Sequence, residues 1–174
     1  MSNFQGCASM SHEPFIYEGD CEGLLKNIPI NSIHVTFLDP PFNQGKEYEN
    51  HDDKSSVVMY WAWMKNICTL LSDVTVDGGA LYFMQREKNI KKILETVSES
   101  GWIAQNIIVW KKKTSAVPQA NRFSKQYQII VFATKGENPS CSITFASISR
   151  SLKDKKYHER MVFLSLMFGM ISWK

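Results

Sequence analysis

The chain has 174 residues, of which 44% are hydrophobic, and this is enough apolar material for one folded domain. Its net charge of +3 permits a nucleic-acid partner without demonstrating one. The first fifteen residues lack the apolar run of a secretory signal, and the longest apolar stretch is too short to span a bilayer as a helix. The four cysteines and four histidines lack the spacing of a zinc site. We therefore expect a soluble cytoplasmic protein with free thiols, and neither a membrane partner nor a metal.

The first predicted elements alternate between strands and helices. A short strand at residues 15–17 leads into a helix that starts near Asp20, whose carboxylate can cap it. Residues 33–38 have the β-branched and aromatic content of a buried strand. The polar segment 43–55 that follows is predicted to be a loop over a site at the end of this strand.

The alternation continues through the middle of the chain. A helix is predicted at about residues 56–72, because apolar residues recur at helical spacing, namely Val57, Trp61, Met64, Cys68 and Leu71. The pair Gly78-Gly79 predicts a turn into a strand at 80–84. A second amphipathic helix at about 87–99 ends at Gly101, and strands at 102–110 and 126–134 follow. This order predicts an α/β sheet with helices on both faces.

The run Leu38-Asp39-Pro40-Pro41-Phe42 is the most informative motif. The prolines stop the preceding strand at once, so Asp39 is predicted at its carboxyl end, where open α/β sheets place ligands. Asp and Pro are also common turn residues, and the motif taken alone is equally consistent with a strand-ending turn.

These residue types suit the methylation of an exocyclic amino group. Such a nitrogen is a poor nucleophile because its lone pair is delocalised into the ring, so a catalyst must accept hydrogen bonds from both amino hydrogens. Asp39 is one acceptor, and the Pro40 carbonyl is a natural second, because a Pro-Pro step offers carbonyls while withholding N–H donors. Phe42 would stack on a base that has flipped out of the duplex, and such stacking contributes about 1–3 kcal/mol per base.

Residues 15–21, Leu24-Leu25 and 33–42 together resemble the opening of the amino-methylating DNA methyltransferases, in which an Asp-Pro-Pro-aromatic motif precedes the cofactor loop. The resemblance extends to about Asn138. It implies a Rossmann-like methyltransferase fold, S-adenosylmethionine as cofactor, and Asp39, Pro40, Pro41 and Phe42 as catalytic residues. Asp rather than Ser before the prolines resembles the adenine-N6 branch. By position, the resemblance implies that the cofactor is contacted by Asp20, Cys21 and Asp39.

The segment 111–125 is a polar loop with five positive charges and no acid, carried by Lys111, Lys112, Lys113, Arg122 and Lys125. Each cation that neutralises a phosphate would add a salt-sensitive term to binding. The resemblance places this segment beside the target-recognition region, which implies contact with double-stranded DNA. A solvated loop is the alternative.

The resemblance weakens in the second part of the chain. The family's glycine-rich cofactor loop is not found, since none of the nine glycines forms a G-x-G. We therefore expect two parts, a catalytic half at 1–138 and a divergent or truncated tail of the target-recognition region at 139–174, in which the last residues could form a helix. Half a pocket and an unpaired sheet edge would result, open to a second copy or another chain.

This incompleteness leaves an inactive fragment that only binds nucleic acid or a partner as the alternative to an enzyme. We expect the chain to bind S-adenosylmethionine weakly or not at all, and calorimetric titration showing micromolar binding would contradict this. A nucleotide-hydrolysing protein is disfavoured because no G-x-x-x-x-G-K-[ST] loop is present. RNA or a protein amide stays open as the substrate.

Overall fold

The computed structural model describes residues 16–42, 47–48, 51–52, 56–112, 121, 125–138, 161–165 and 170–173. Nine strands, three α-helices and one 3-10 turn lie in these ranges. In chain order they are β1 (Ile16–Glu18), α1 (Cys21–Leu25), β2 (Ile33–Asp39), β3 (Glu47–Tyr48), β4 (His51–Asp52), α2 (Val57–Val74), β5 (Thr75–Gln85), the 3-10 turn (Glu87–Asn89), α3 (Ile90–Glu99), β6 (Ile103–Lys111), β7 (Tyr127–Thr134), β8 (Met161–Ser165) and β9 (Met170–Trp173).

Seven of the strands form one mixed sheet in the order β1-β9-β8-β2-β5-β7-β6, and β3 pairs with β4 in a separate hairpin. Strand β2 is parallel to β5 and to β8, whereas β7 is antiparallel to β5 and β6, and β9 is antiparallel to β1 and β8. Strands β1, β2, β5, β6 and β8 therefore all point the same way. We call the side of the sheet where these five strands end the carboxyl edge.

The described helices pack against one face of the sheet. Alternate residues of β5, Leu81 and Phe83, belong to a core cluster that also contains buried side chains of α1, α2 and α3. The intervening Tyr82 and Met84 are buried on the opposite face, with Val35 and Ile130. The expected α/β sheet is confirmed, and β5 in its centre is buried on both faces.

Helix α2 buries three of the five residues of the predicted stripe, Met64, Cys68 and Leu71. Ser56 caps it by accepting a hydrogen bond from the Met59 N–H at 3.2 Å. Its buried residues are Tyr60, Met64, Ile67, Cys68, Leu71 and Val74. Val57, the first residue of the predicted stripe, is 64% exposed, and burial on this helix begins at Tyr60.

The Gly78-Gly79 pair lies inside a strand and not in a turn before one. From Ile33 to Val35, β2 advances two residues while β5 advances five, from Thr75 to Ala80, so the extra residues of β5 form an irregularity around the glycines. A Cβ on Gly79 would meet the Thr75 Cγ2 at 2.4 Å and the His34 carbonyl oxygen at 3.0 Å. Glycine is required at this point because atoms of Thr75 and His34 approach too closely to leave room for a side chain.

The end of the chain corrects two expectations. Residues 161–165 form β8, which pairs in parallel with β2 from Val35 to Asp39, and residues 170–173 form β9. The sequence predicted an unpaired sheet edge and, as one possibility for the last residues, a helix. The run of apolar β-formers at 161–165 instead satisfies the backbone hydrogen-bonding groups of β2. The two ends of the described sheet are β1 and β6.

The other elements follow the predicted pattern closely. Helix α3 places Ile93 and Val97 in the core and is followed by Gly101, which has a φ of +82°. Within the predicted 43–55 loop, residues 47–48 and 51–52 form the β3–β4 hairpin, and the remainder lies outside the described residues. None of the described helices is long and apolar enough to cross a membrane.

Candidate active site

Asp39 is the last residue of β2 and lies at the carboxyl edge, between β5 and β8. Its Oδ1 atom is buried, and no hydrogen-bond partner for it lies in the described part of the chain. Burial raises the pKa of the Asp39 carboxyl to about 6, and the nearby Lys112 ammonium opposes this shift. A buried oxygen without a partner can accept a hydrogen bond from a ligand.

The three residues after Asp39 are at least partly buried. Pro40 and Pro41 are buried and Phe42 is half-buried. The Tyr60 hydroxyl donates a hydrogen bond to the Pro41 carbonyl at 2.7 Å. The Pro41 carbonyl therefore has a protein donor, and Pro40 is the proline that directly follows Asp39 in the chain.

Two buried polar residues of the site were missed by sequence reasoning. The Gln85 side-chain amide donates to the Tyr60 hydroxyl at 2.8 Å, and the Arg86 backbone N–H donates to the Gln85 Oε1 at 2.9 Å. Tyr60 is 2% exposed and Gln85 is fully buried. A glutamine that ends an otherwise apolar strand was the only sequence signal, since a polar side chain is costly inside a core unless it is hydrogen-bonded.

Asp20 lies at the same edge of the sheet as Asp39, because it follows the end of β1. Its carboxylate caps α1 by accepting hydrogen bonds from the N–H groups of Glu22 and Gly23, at 3.3 Å and 2.8 Å. The predicted helix cap is thereby confirmed. The neighbouring Cys21 side chain is buried in the core, and burial raises the pKa of its thiol to about 12. This thiol therefore packs in the core as an inert group.

The described ends of the basic segment, Lys111 and Lys112 after β6 and Lys125 before β7, lie at the carboxyl edge, as Asp39 does. Lys111 and Lys112 are exposed there, and the Lys112 backbone N–H donates to the Gln126 carbonyl at 2.6 Å. Lys125 forms an ion pair with Glu87, so one of the five cations has a protein partner. Lys113 and Arg122 lie outside the described residues.

Most of the chain matches one known protein family. Residues 33–165 match the family model described as DNA methylase, for the N6 and N4 methyltransferases. The chain belongs to this family. The match includes the Asp39 motif and β8, and it extends beyond Asn138, where the sequence resemblance was expected to end.

Two curated methyltransferases are identical to this DNA methylase chain at about a quarter of the aligned positions. The DNA adenine methyltransferase YhdJ of Escherichia coli K12 is 24% identical over 120 residues, which are 69% of this chain and 40% of the relative. The type II methyltransferase M.BamHI of Bacillus amyloliquefaciens is 28% identical over 129 residues, 71% of this chain and 29% of the relative. The chain therefore spans less than half the length of these two relatives.

Solved structures share the fold of this methylase chain. The PvuII DNA methyltransferase, which is cytosine-N4-specific, aligns with a TM-score of 0.58 at 17% identity, over 86% of this chain and 56% of that one. A proposed DNA modification methylase from Thermus thermophilus, solved with S-adenosyl-L-methionine, aligns with a TM-score of 0.52 at 17% identity, over 77% of this chain and 60% of that one. The order and direction of the strands are thus those of a methyltransferase fold.

Proposed function

We propose that this chain carries the catalytic half of a DNA methyltransferase that modifies the N6 amino group of adenine. The observation that supports this most directly is the Asp39 Oδ1 at the carboxyl edge, a buried acceptor without a described partner, in the residue that directly precedes Pro40. Two adjacent acceptors and no proline N–H suit an amino group that has two hydrogens to donate. Asp rather than Ser at this position favours adenine over cytosine.

The residues of the site would act by accepting hydrogen bonds and by orientation. Asp39, with a pKa of about 6, is mostly ionised at neutral pH and accepts one amino hydrogen, while the Pro40 carbonyl accepts the other. Both bonds draw the nitrogen toward a tetrahedral geometry in which its lone pair is available. Transfer of the methyl group to the nitrogen would cleave the bound cofactor's carbon–sulfur bond, whose electron pair would stay on sulfur, so the methylated nitrogen would carry a surplus proton. The raised pKa of Asp39 makes its carboxylate a suitable acceptor for that proton.

The cofactor of the family is S-adenosylmethionine, which supplies an electrophilic methyl group when bound. The residues of this chain fit part of its site. Asp20 and Asp39 share the carboxyl edge, three strand positions apart, or roughly 14 Å at the usual spacing between strands. Asp20 is exposed and can accept hydrogen bonds from an adenosine. Cys21 can contribute its backbone but not its buried thiol, and the sequence offers no G-x-G loop for the methionine end.

Double-stranded DNA is the proposed substrate, bound against the carboxyl edge. Lys111 and Lys112 are available there for phosphates, with Lys113 and Arg122 continuing the same segment in sequence. A target adenine must leave the duplex to reach Asp39, and the half-buried ring of Phe42 would offer the flipped base a stacking surface. Modification of a fixed sequence, as in restriction-modification systems, would follow. The buried free thiols of Cys21 and Cys68 fit a reducing compartment such as the cytoplasm.

Transfer of a labelled methyl group to DNA tests this proposal. The chain is incubated with labelled S-adenosylmethionine and duplex DNA, and the DNA is digested to nucleosides. Label in N6-methyladenine would support the adenine assignment, whereas label in N4-methylcytosine would overturn it and retain the family's chemistry. DNA binding without any transfer would favour the alternative, a fragment that only binds nucleic acid, for which the missing G-x-G loop is the supporting observation.

We further propose that β6, at one end of the described sheet, pairs with β6 of a second copy. Ile107, Val109 and Trp110 of this strand are 51%, 63% and 49% exposed, and no charged residue lies between Ile103 and Trp110. Protected edge strands usually carry such charges. An antiparallel pairing centred on Val109 uses the regular part of the strand and sets Lys111 opposite Ile107, so like charges do not face each other.

The substitution Val109→Lys should keep the protein monomeric, because it would set two lysines opposite each other at the centre of the proposed pairing. Light scattering across a concentration series measures the mass, and the wild-type chain is expected to approach twice the monomer mass. Ile30→Lys is the matched control, since Ile30 is 75% exposed and lies in the turn before β2. A wild-type protein that stays monomeric throughout the series would contradict the pairing.

A further inference from the structure

A chain of buried hydrogen bonds runs from the end of β5 to the loop after Asp39. The Arg86 N–H donates to the Gln85 Oε1 at 2.9 Å, the Gln85 Nε2 donates to the Tyr60 hydroxyl at 2.8 Å, and the Tyr60 hydroxyl donates to the Pro41 carbonyl at 2.7 Å. A backbone N–H can only donate, so it fixes which end of the Gln85 amide faces Tyr60. The amide then donates to Tyr60, and the single hydroxyl hydrogen is directed to Pro41.

The loop itself has few other means of being held. Pro40 and Pro41 have no N–H, so their carbonyls are the only backbone polar groups through which these two residues can be anchored. The Pro41 carbonyl is bound by Tyr60, which is rooted in the core through α2. The proposed function uses the carbonyl of Pro40, the neighbouring residue, so anchoring Pro41 would also restrict the position of that carbonyl.

We propose that Tyr60 and Gln85 are positioning residues, which anchor the Pro41 carbonyl and thereby hold Asp39 and the Pro40 carbonyl in the geometry that receives an amino group. The anchoring of the Pro41 carbonyl rests on the hydrogen bonds alone. Its effect on methyl transfer rests on the proposed function. Neither residue touches the substrate. Their effect reaches the reacting nitrogen through the loop formed by residues 39–42.

The test uses Tyr60→Phe, which keeps the packed ring and removes only the donor, and Gln85→Leu, which removes the donor to Tyr60. Tyr82→Phe is the matched control. It deletes a hydroxyl from another buried tyrosine, on the opposite face of the sheet. Urea unfolding of each variant shows first that it is folded under the conditions of the measurements.

Nuclear magnetic resonance measures the anchor directly. Labelling prolines with ¹³C at the carbonyl and phenylalanines with ¹⁵N selects the two Pro-Phe bonds of the chain, at 14–15 and 41–42, and a Phe15→Leu variant identifies which signal belongs to Pro41. We expect the Pro41 carbonyl signal to move in Tyr60→Phe, to move less in Gln85→Leu and to stay in place in Tyr82→Phe.

Titration of the Asp39 carboxyl and methyl-transfer kinetics complete the test. A released loop admits water to Asp39, so its pKa should fall from about 6 toward the ordinary 3.8 in Tyr60→Phe, with Lys112 as the charged group still acting on it. We expect kcat to fall roughly tenfold or more, and KM for DNA to change less than about twofold, because misplacement affects the chemical step more than binding.

The two proposals fail in distinguishable ways. An unmoved Pro41 signal, or an Asp39 pKa unchanged in Tyr60→Phe, would overturn the positioning role whether or not the chain transfers methyl groups. A wild-type kcat in Tyr60→Phe, measured where Asp39→Ala is inactive, would overturn its catalytic consequence while leaving the proposed function intact. No transfer by the wild-type chain would count against the proposed function alone, and the two resonance measurements would still decide the anchor.

Discussion

Asp39→Ala is expected to lower the rate of methyl transfer to DNA by at least about a hundredfold, as does the loss of one preorganised hydrogen-bonding group at other active sites. The substitution removes the buried Oδ1, the acceptor without a described partner at the carboxyl edge. One amino hydrogen of the target would then lack an acceptor, and the nitrogen would stay closer to its planar, unreactive form. Single-turnover transfer of a labelled methyl group measures the chemical step.

Asp39→Asn makes the same test more selective. The amide preserves the size of the side chain, but it lacks the negative charge and replaces one acceptor oxygen with an NH₂ donor group, so we expect a loss of similar order. The wild-type rate should also rise with pH through about 6 as the carboxylate ionises. Asp73→Asn, an exposed carboxylate of α2, is the control and should retain the wild-type rate. Equal rates in Asp39→Asn and wild type would remove Asp39 from the mechanism.

The same buried carboxyl is expected to destabilise the fold at neutral pH. Burial raises the pKa of Asp39 from 3.8 to about 6, so between these values the folded state holds its proton more tightly than the unfolded state does. The contribution of this group to the free energy of unfolding is therefore most favourable below pH 3.8 and falls as the pH rises through about 6. Above that, the cost of burying the charge is fully present.

Asp39→Asn should consequently raise the free energy of unfolding at pH 8, by about 1–2 kcal/mol, since partial exposure of the side chain reduces the effect of the pKa shift. The gain over wild type should shrink below pH 6 and vanish near pH 3.8. Urea unfolding of both proteins across this range measures the difference. Asp73→Asn again serves as control, with no comparable gain, and a pH-independent gain in Asp39→Asn would show that ionisation is not its cause.

Sequence patterns predicted most of the elements because those patterns are local. The prolines after Leu38 end β2 within one residue of the predicted boundary, and Gly101 ends α3 where a left-handed residue is needed. The pair Gly78-Gly79 predicted a turn, but both residues lie inside β5. Glycine is equally suited to a turn and to close packing of strands, and only the approach of His34 and Thr75 shows that packing is the reason here.

Side-chain and strand partners that are distant in sequence were not predictable in the same way. Tyr60 and Pro41 are nineteen residues apart, and no periodicity relates the two. Helical spacing indicated an apolar stripe on α2 but not that its first residue, Val57, is exposed. The pairing of β8 with β2 likewise joins segments that are more than a hundred residues apart, and no local pattern shows which segment will pair with β2.

The sequence by itself determined the motif from Asp39 to Phe42, its place at the end of a strand and its kinship with the DNA methylases, because these depend on residue types in consecutive positions. Only the tertiary structure decided the pKa of the Asp39 carboxyl and the hydrogen bonding of the loop that follows it. Burial between neighbouring strands raises the pKa of Asp39, and Tyr60 holds the carbonyl of Pro41. Both properties arise from groups brought together by strand pairing and helix packing, and contacts of that kind are set by the whole fold.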